Sequence, residues 1–378
     1  MRFHVPTRIH FGSGSVSLLK GIIEEDYEGS RPLVVTDRGI IESGIAEKIL
    51  SPLPKIPVFD QVEPNPKHAT VNSGAGLARR NKINLVIGLG GGSALDAAKA
   101  IALLATNSGR IEDYEGRRKY KLPPLPVVAI PTTCGTGSEV TWVSVVTHTE
   151  RRFKMSIKGP EMFPRVALID PDLLTTLPSA LVASTGMDAL THAIEAYTAK
   201  EASLITDMFA LKAIQLIFGS IERAYRNIRK DQDARENIML GSTLAGMAFC
   251  NSDVGAVHCL AEAVGSLHDT PHGVANAVFL PSVMDFNRPA AEKKYADIAR
   301  CAGIKGDTDG FLAQELIKRI KFLSQSMAIP SLKELGVRET DFPEIAFKSF
   351  QNNSNPSNPR EARVEDYLTI LQRAFSES

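Results

Sequence analysis

The chain has 378 residues, enough for two domains that each bury a core of their own. Lysine and arginine together number 43, as do aspartate and glutamate, so the net charge is zero and nothing in it favours a nucleic-acid partner. The four cysteines form no CxxC pair and are too sparse for a disulfide framework. No stretch reaches the roughly 18 apolar residues of a membrane span, and MRFHVPTRIHFG lacks an apolar signal core. A soluble cytoplasmic protein without a membrane partner is expected.

The first half alternates short apolar runs with helical ones. Pro32–Thr36, Ile56–Phe59, Leu85–Leu89, Leu125–Ile130 and Val166–Ile169 have strand length and read as buried parallel strands. Helical segments are expected near 39–50, 67–81 and 93–106, the alternation of a doubly wound α/β domain with a parallel, Rossmann-like sheet. Asp37 follows the first of these strands. By itself it reads as a helix N-cap, the commonest role of an aspartate there.

Gly88-Leu89-Gly90-Gly91-Gly92-Ser93 ends a strand and leads into ALDAAK. Strand, glycine turn and helix start in this order make an anion site from backbone N–H groups and the helix dipole. It departs from the GxGxxG fingerprint, because Ser93 stands where the third glycine would be. A tight structural turn is the competing explanation. A second loop, Pro131–Glu139, is rich in hydroxyls and glycine and suits wrapping a cofactor.

Near 175–184 the pattern changes to long helices, so domains at 1–180 and 181–378 are expected, the second all-α. Asp188 and His192 lie four apart on one helix face; His258 begins another helix, and His272 follows Pro271 at the start of a third. One carboxylate and three imidazoles converging from three helices suit a divalent transition metal such as Fe(II) or Zn(II). Any one of these residues alone is an ordinary helix residue. The polar stretch from Gln351 to Asp366 is rich in turns and precedes a last short helix.

Taken together, GGGSALDAAK, PTTCGTGSEVT, ALIDPDL, GMDALTHAIEAY and TPHGVANAVFLP resemble the iron-activated, group III alcohol dehydrogenases, nearest the lactaldehyde reductase and 1,3-propanediol dehydrogenase type. The resemblance covers nearly the whole chain. It implies the dehydroquinate synthase-like fold and a metal-dependent, NAD(P)-dependent hydride transfer between a short-chain alcohol or diol and its aldehyde. Asp188, His192, His258 and His272 fall on the family's metal ligands, with iron native and zinc a replacement. Gly91, Gly92 and Ser93 fall on its pyrophosphate loop, and Thr132, Thr133, Thr141 and Val145 around the cofactor. Lys154 matches a lysine at the nicotinamide-side ribose, and Asn65 also approaches the cofactor. Asp37 matches the acidic position that favours NAD over NADP, which reverses the N-cap reading. Homodimers or larger homo-oligomers are implied.

One departure stands out: Glu262 occupies the position where many relatives carry a further histidine, four residues after His258. A proton relay, an additional metal ligand and a structural hydrogen bond are the roles open to it, with His268 a weaker relay candidate. Trp142, Phe249 and Ala256 are expected to shape the substrate pocket. The alternatives are glycerol dehydrogenase, whose branch uses fewer histidine ligands, and a lyase of the dehydroquinate synthase type. The lyase requires a cluster of cations for its polyanionic substrate, and 249–280 contains no lysine or arginine.

Overall fold

A computed structural model describes residues 3–376. The chain divides into two compact units, Val5–Thr133 with Gly137–Thr176, and Leu177–Ser378 with Met1–His4 and Cys134–Thr136. The sequence expectation put the division after 180 and assigned the loop at 134–136 to the first domain. That loop packs within the helical unit, where a Cβ on Gly135 would lie 2.9 Å from Thr185 Cβ.

The α/β unit is built on nine strands: β1 Arg8–Phe11, β2 Pro32–Val35, β3 Val58–Phe59, β4 Leu85–Gly90, β5 Gly116–Arg117, β6 Val127–Pro131, β7 Val143–His148, β8 Phe153–Lys158 and β9 Val166–Ile169. Six make a sheet in the order β1-β9-β6-β4-β2-β3, every pairing parallel. All five expected strands are in it. β1 was not anticipated, because RIHF is too polar to read as a buried run. It is an edge strand with only partial burial. The helices of this unit are α1 Leu19–Asp26, α2 Arg38–Glu42, α3 Ile45–Leu50, α4 His68–Arg80 and α5 Gly92–Thr106. The single helix expected at 39–50 is two, because Gly44 takes φ 74° and breaks it. Alternation along the strands sorts the core: Val86 faces one layer with α4 and α5, while Leu85, Ile87 and Leu89 face the other with α1 and α3.

β5, β8 and β7 form a separate three-stranded sheet, with β7 and β8 an antiparallel hairpin. Its polar alternation hid it from the sequence reading. It is fastened to α5 by a buried cation. Lys99 is 1 % exposed, and its ammonium donates to the carbonyls of Ser138 (3.1 Å) and Val143, with Asp96 Oδ1 at 3.3 Å. Asp96 in turn accepts from the Ser138 hydroxyl (2.6 Å) and the Val145 N–H (2.9 Å). Two charges on one helix turn thereby satisfy the backbone of a whole loop.

The helical unit contains α6 Ser179–Thr198, α7 Leu204–Asn227, α8 Gln232–Ser252, α9 Ala256–His268, α10 His272–Cys301, α11 Asp309–Ser326, α12 Phe342–Gln351 and α13 Val364–Ser376. α6 is buried almost all round: every residue from Gly186 to Thr198 is shielded. It is therefore the central helix, with α7, α8 and α10 packed about it. Among the described helices only α7 is long and apolar enough to cross a membrane; it packs against α6 and α8.

Removing the Lys99 charge leaves Asp96 unpaired and two carbonyls unsatisfied. Lys99→Met should lower the unfolding free energy by about 3 kcal/mol in urea titrations, as breaking a buried ion pair does. A loss below about 1 kcal/mol would show that the ammonium is not what holds the loop.

Candidate metal and nucleotide sites

Asp188 and His192 lie one turn apart near the middle of α6, His258 in the first turn of α9, and His272 at the first position of α10. One donor atom from each lies within 4.8 Å of every other. Asp188, His192 and His258 are at most 5 % exposed. The α6–α10 contact is made possible by Gly273, where a Cβ would lie 2.2 Å from the Ser184 carbonyl oxygen. Any larger residue there would push His272 away from Asp188.

Around the four stand partners that orient them. Glu195, on α6, accepts from His258 Nδ1 at 2.5 Å and from the Val257 N–H at 2.8 Å, so the His258 Nε2 points at Asp188 and His272. Asn276, one turn into α10, donates to Asp188 Oδ1 at 2.6 Å and lies 3.2 Å from Nε2 of both His258 and His272. Two imidazole lone pairs and a carboxylate oxygen thus converge on one amide nitrogen that carries only two hydrogens. Phe249 stacks on His192, with ring centroids 4.3 Å apart. His192 Nδ1 is buried without a hydrogen-bond partner among the described residues, 3.9 Å from Asp188 Oδ2. A buried nitrogen that makes no hydrogen bond, set among two other imidazoles and a carboxylate, is what a divalent cation satisfies. The residues fit the metal.

The ionisation of the site points the same way. Burial drives the His192 imidazole down to about 3, with His258 and His272 adding to the shift and Asp188 opposing it. It is neutral, as a ligand must be. Burial also disfavours the His258 imidazolium, but the hydrogen bond and charge of Glu195 outweigh it and raise that pKa. Protons therefore compete with a metal more strongly at His258 than at His192.

Sequence reasoning missed Glu195 and Asn276. The signal was present: Glu195 lies seven residues after Asp188, on the same helical face, and Asn276 four after His272. It also missed Asn358, in the polar stretch read as turns. That side chain is fully buried, accepts from the Ala256 N–H at 3.1 Å and so fixes the start of α9.

Glu262 is half-buried and accepts from Asn352, the residue that follows α12, at 2.6 Å, the structural hydrogen bond among the roles open to it. It lies outside the four-ligand group. His268 ends α9 and faces Asp341 at 3.4 Å. Ala256 is fully buried at the first position of α9. Trp142 belongs to the α/β unit, where it stacks on Phe163 with Arg117 over its ring.

In the α/β unit, β4 ends at Gly90 and α5 begins at Gly92 with no side-chain cap. The first intrahelical bond joins the Leu95 N–H to the Gly91 carbonyl, so the amides of Gly92, Ser93 and Ala94 have no carbonyl within the helix. Gly90 has φ 147°, and a Cβ there would lie 2.7 Å from Ala94 Cβ and 3.2 Å from Asp37 Oδ2. A Cβ on Gly91 would lie 3.2 Å from Thr133. Thr132 is tied by its N–H to the Gly90 carbonyl. Asp37 does cap α2, its Oδ1 accepting from the Ile40 N–H at 3.0 Å, while Oδ2 is the oxygen turned to the glycine turn. The two readings of Asp37 are therefore compatible. Lys154 donates to Asn65 at 2.8 Å; Val145 lies on β7, and the Thr141 hydroxyl is 3.3 Å from Lys99 Nζ.

Residues 6–171 match the family described as iron-containing alcohol dehydrogenase, and residues 182–375 the C-terminal region of the iron-containing alcohol dehydrogenase family. The chain belongs to this family. It is accordingly a metal-dependent, nicotinamide-dependent alcohol dehydrogenase or aldehyde reductase. It is 40 % identical to the 1,3-propanediol dehydrogenase of Klebsiella pneumoniae over 98 % of both chains. It is 36 % identical to the lactaldehyde reductase of Escherichia coli K12 over 97 % of both. Among solved structures, a 1,3-propanediol oxidoreductase superposes with a TM-score of 0.95 at 39 % identity, covering 99 % of each chain. The dehydroquinate synthase-like fold expected from sequence is the fold observed.

Glu195→Gln lowers the His258 pKa, so proton competition should move to lower pH. In equilibrium dialysis, wild-type metal affinity should weaken as pH falls through the raised His258 pKa, by about tenfold per unit for one displaced proton. The variant should hold its affinity further down. Identical profiles would remove Glu195 from the metal site. Gly273→Ala should cost about 1–3 kcal/mol by overpacking and reduce bound metal, read by thermal melts and metal analysis.

Proposed function

We propose that the chain interconverts short-chain primary alcohols or diols with their aldehydes, prefers NAD to NADP, and runs in the cell toward aldehyde reduction. The observation that carries this reading is the buried Asp188, His192, His258 and His272 set, in one chain with a glycine turn beside a carboxylate. We assign the four as ligands of Fe(II), with Zn(II) as a replacement. A cation bound there supplies a Lewis acid for the substrate oxygen.

The remaining work belongs to the side chains. Glu195 keeps the His258 proton on Nδ1, and Asn276 holds the Asp188 carboxylate in place. The amides of Gly92 and Ser93, entered through Gly91, would hold the pyrophosphate, with the α5 dipole behind them. Asp37 keeps Oδ2 for the ribose diol, where its charge repels a 2′-phosphate. Thr132, Thr133, Thr141 and Val145 line the cofactor, while Asn65 fixes the Lys154 ammonium toward the nicotinamide-side ribose. A nicotinamide bound there would supply the hydride acceptor or donor, leaving the chain to orient the two carbons and give the hydroxyl proton a path to water. Glu262 is assigned to that proton path ahead of His268. It is half-buried one helical turn from His258, whereas His268 ends its helix and is paired with Asp341.

Exposed Leu204 and Met208, one turn apart at 76 % and 73 % exposure, support a homo-oligomer through α7. Four sparse cysteines without a CxxC pair suit a reducing cytoplasm.

Anaerobic purification with metal analysis, followed by assays with NAD and NADP across ethanol, butanol, 1,2-propanediol, 1,3-propanediol and glycerol, tests the reading. Turnover should be fastest with a short primary alcohol or diol and NAD. Asp37→Ser retains a capping hydroxyl but loses the charge, and should raise the NADP-to-NAD ratio of kcat/KM about tenfold or more. A wild-type preference for NADP would refute the role of Asp37. Both His258→Ala and His272→Ala should lose metal and turnover while keeping their helical circular dichroism; unchanged metal content and rate would refute the ligand assignment.

A further inference from the structure

A second group of ligand-type side chains lies within the α/β unit, made of residues given no role above. His68 is the first residue of α4 and is 3 % exposed. His148 ends β7, and the two imidazoles lie 4.6 Å apart, centre to centre. Glu150, in the turn of the β7–β8 hairpin, places a single carboxylate oxygen 3.3 Å from His68 Nε2 and 3.0 Å from His148 Nδ1. One donor atom from each of the three lies within 4.8 Å of the others. A second carboxylate, Glu112, stands 3.8 Å from the same His68 nitrogen, held by Asn72 and Arg110.

Two features distinguish this arrangement from a surface ion pair. The first is spacing. Neighbouring ligand atoms of a tetrahedral ion with bonds near 2 Å are separated by about 3.3 Å, and the two nitrogen–oxygen distances, 3.3 and 3.0 Å, lie at and just below that value. The second is the direction of the lone pairs. The Thr147 carbonyl lies 3.3 Å from His68 Nδ1 and favours the proton there, leaving Nε2 as a lone pair facing two carboxylates. The Arg151 N–H, 3.4 Å from His148 Nδ1, likewise requires a lone pair on that nitrogen. Lone pairs facing carboxylate oxygens at such distances repel unless a cation stands between them. The competing arrangement is a hydrogen bond from each ring N–H to Glu150. The Thr149 N–H, 3.4 Å from His68 Nδ1, suits that tautomer.

We propose that His68, His148 and Glu150 form a second divalent-metal site, of zinc type, completed by water or Glu112. Two nitrogens, one carboxylate oxygen and partial exposure suit Zn(II) better than magnesium or calcium, which prefer all-oxygen shells. The site ties the tip of the β7–β8 hairpin to the first turn of α4. Lys67 and Thr147 already meet there in a β-bridge, and the hairpin carries Val145 and Lys154. Its role is to hold that hairpin in place.

The test is zinc stoichiometry of the intact protein by equilibrium dialysis at low-micromolar free zinc, for wild type, Glu150→Gln and His148→Ala. Glu150 is exposed, so its amide variant should fold as wild type does, checked by thermal melting without metal. Wild type is expected to bind two ions per chain and each variant one, with alcohol turnover retained because the Asp188 set remains loaded. Hairpin cleavage by trypsin at Arg151 and Arg152 should be slowed by zinc in wild type only. One ion per chain in wild type would overturn the proposal in favour of the N–H bonds to Glu150. Two ions in both variants would refute these residues as the ligands.

Discussion

Taking three imidazoles and a carboxylate out of water is the constraint on which the helical unit depends. Buried charge is tolerated only when it is paired, and buried nitrogen only when something faces its lone pair. Every helix near the site is placed to meet that demand. α6 contributes Asp188 and His192 and, one and two turns on, Glu195. α9 starts where Asn358 and Glu195 accept its first amides. α10 approaches closely enough for His272 only because Gly273 has no side chain. The site is thus a product of helix packing more than of any local loop, and the packing of α6 is the price of a dry site.

The α/β unit obeys a different logic. Its sheet is assembled from apolar strands, and its polar groups gather where strands end: Asp37 after β2, the glycine turn after β4, the hydroxyl-rich loop after β6. Those loops carry many polar groups and few apolar ones, so charge holds them where a core cannot. Lys99 and Asp96 serve the loop before β7 in this way, from inside α5. The small sheet beyond them then presents Lys154 to Asn65, whose φ of 53° turns the chain at that point.

Glu262 shows how one carboxylate can tie two elements together. Its carboxylate is engaged by Asn352, an arrangement that fixes α12 against α9 as well as orienting the side chain. A histidine there would present a different proton donor.

Much of the protein was legible in the sequence. Helix and strand periodicity are local, so spacing alone placed Asp188 and His192 on one face, put His258 and His272 at helix starts, and marked the parallel strands and the glycine turn. The residues that orient the ligands were not so legible. Glu195 and Asn276 share helical faces with the ligands, but many residues share faces, and only the crossing of α6, α9 and α10 selects which ones meet. The same holds for Asn358, read as part of a polar turn and found fully buried, and for β1 and the small sheet, whose polar alternation carries no core signal. His148 and Glu150 are neighbours in the β7–β8 turn, but His68 lies eighty residues earlier, and no spacing rule joins it to them. Sequence determined which residues could act together along one helix or at one strand end; the meeting of side chains across elements was decided by tertiary packing, because long-range contacts depend on shape and volume that no local pattern encodes.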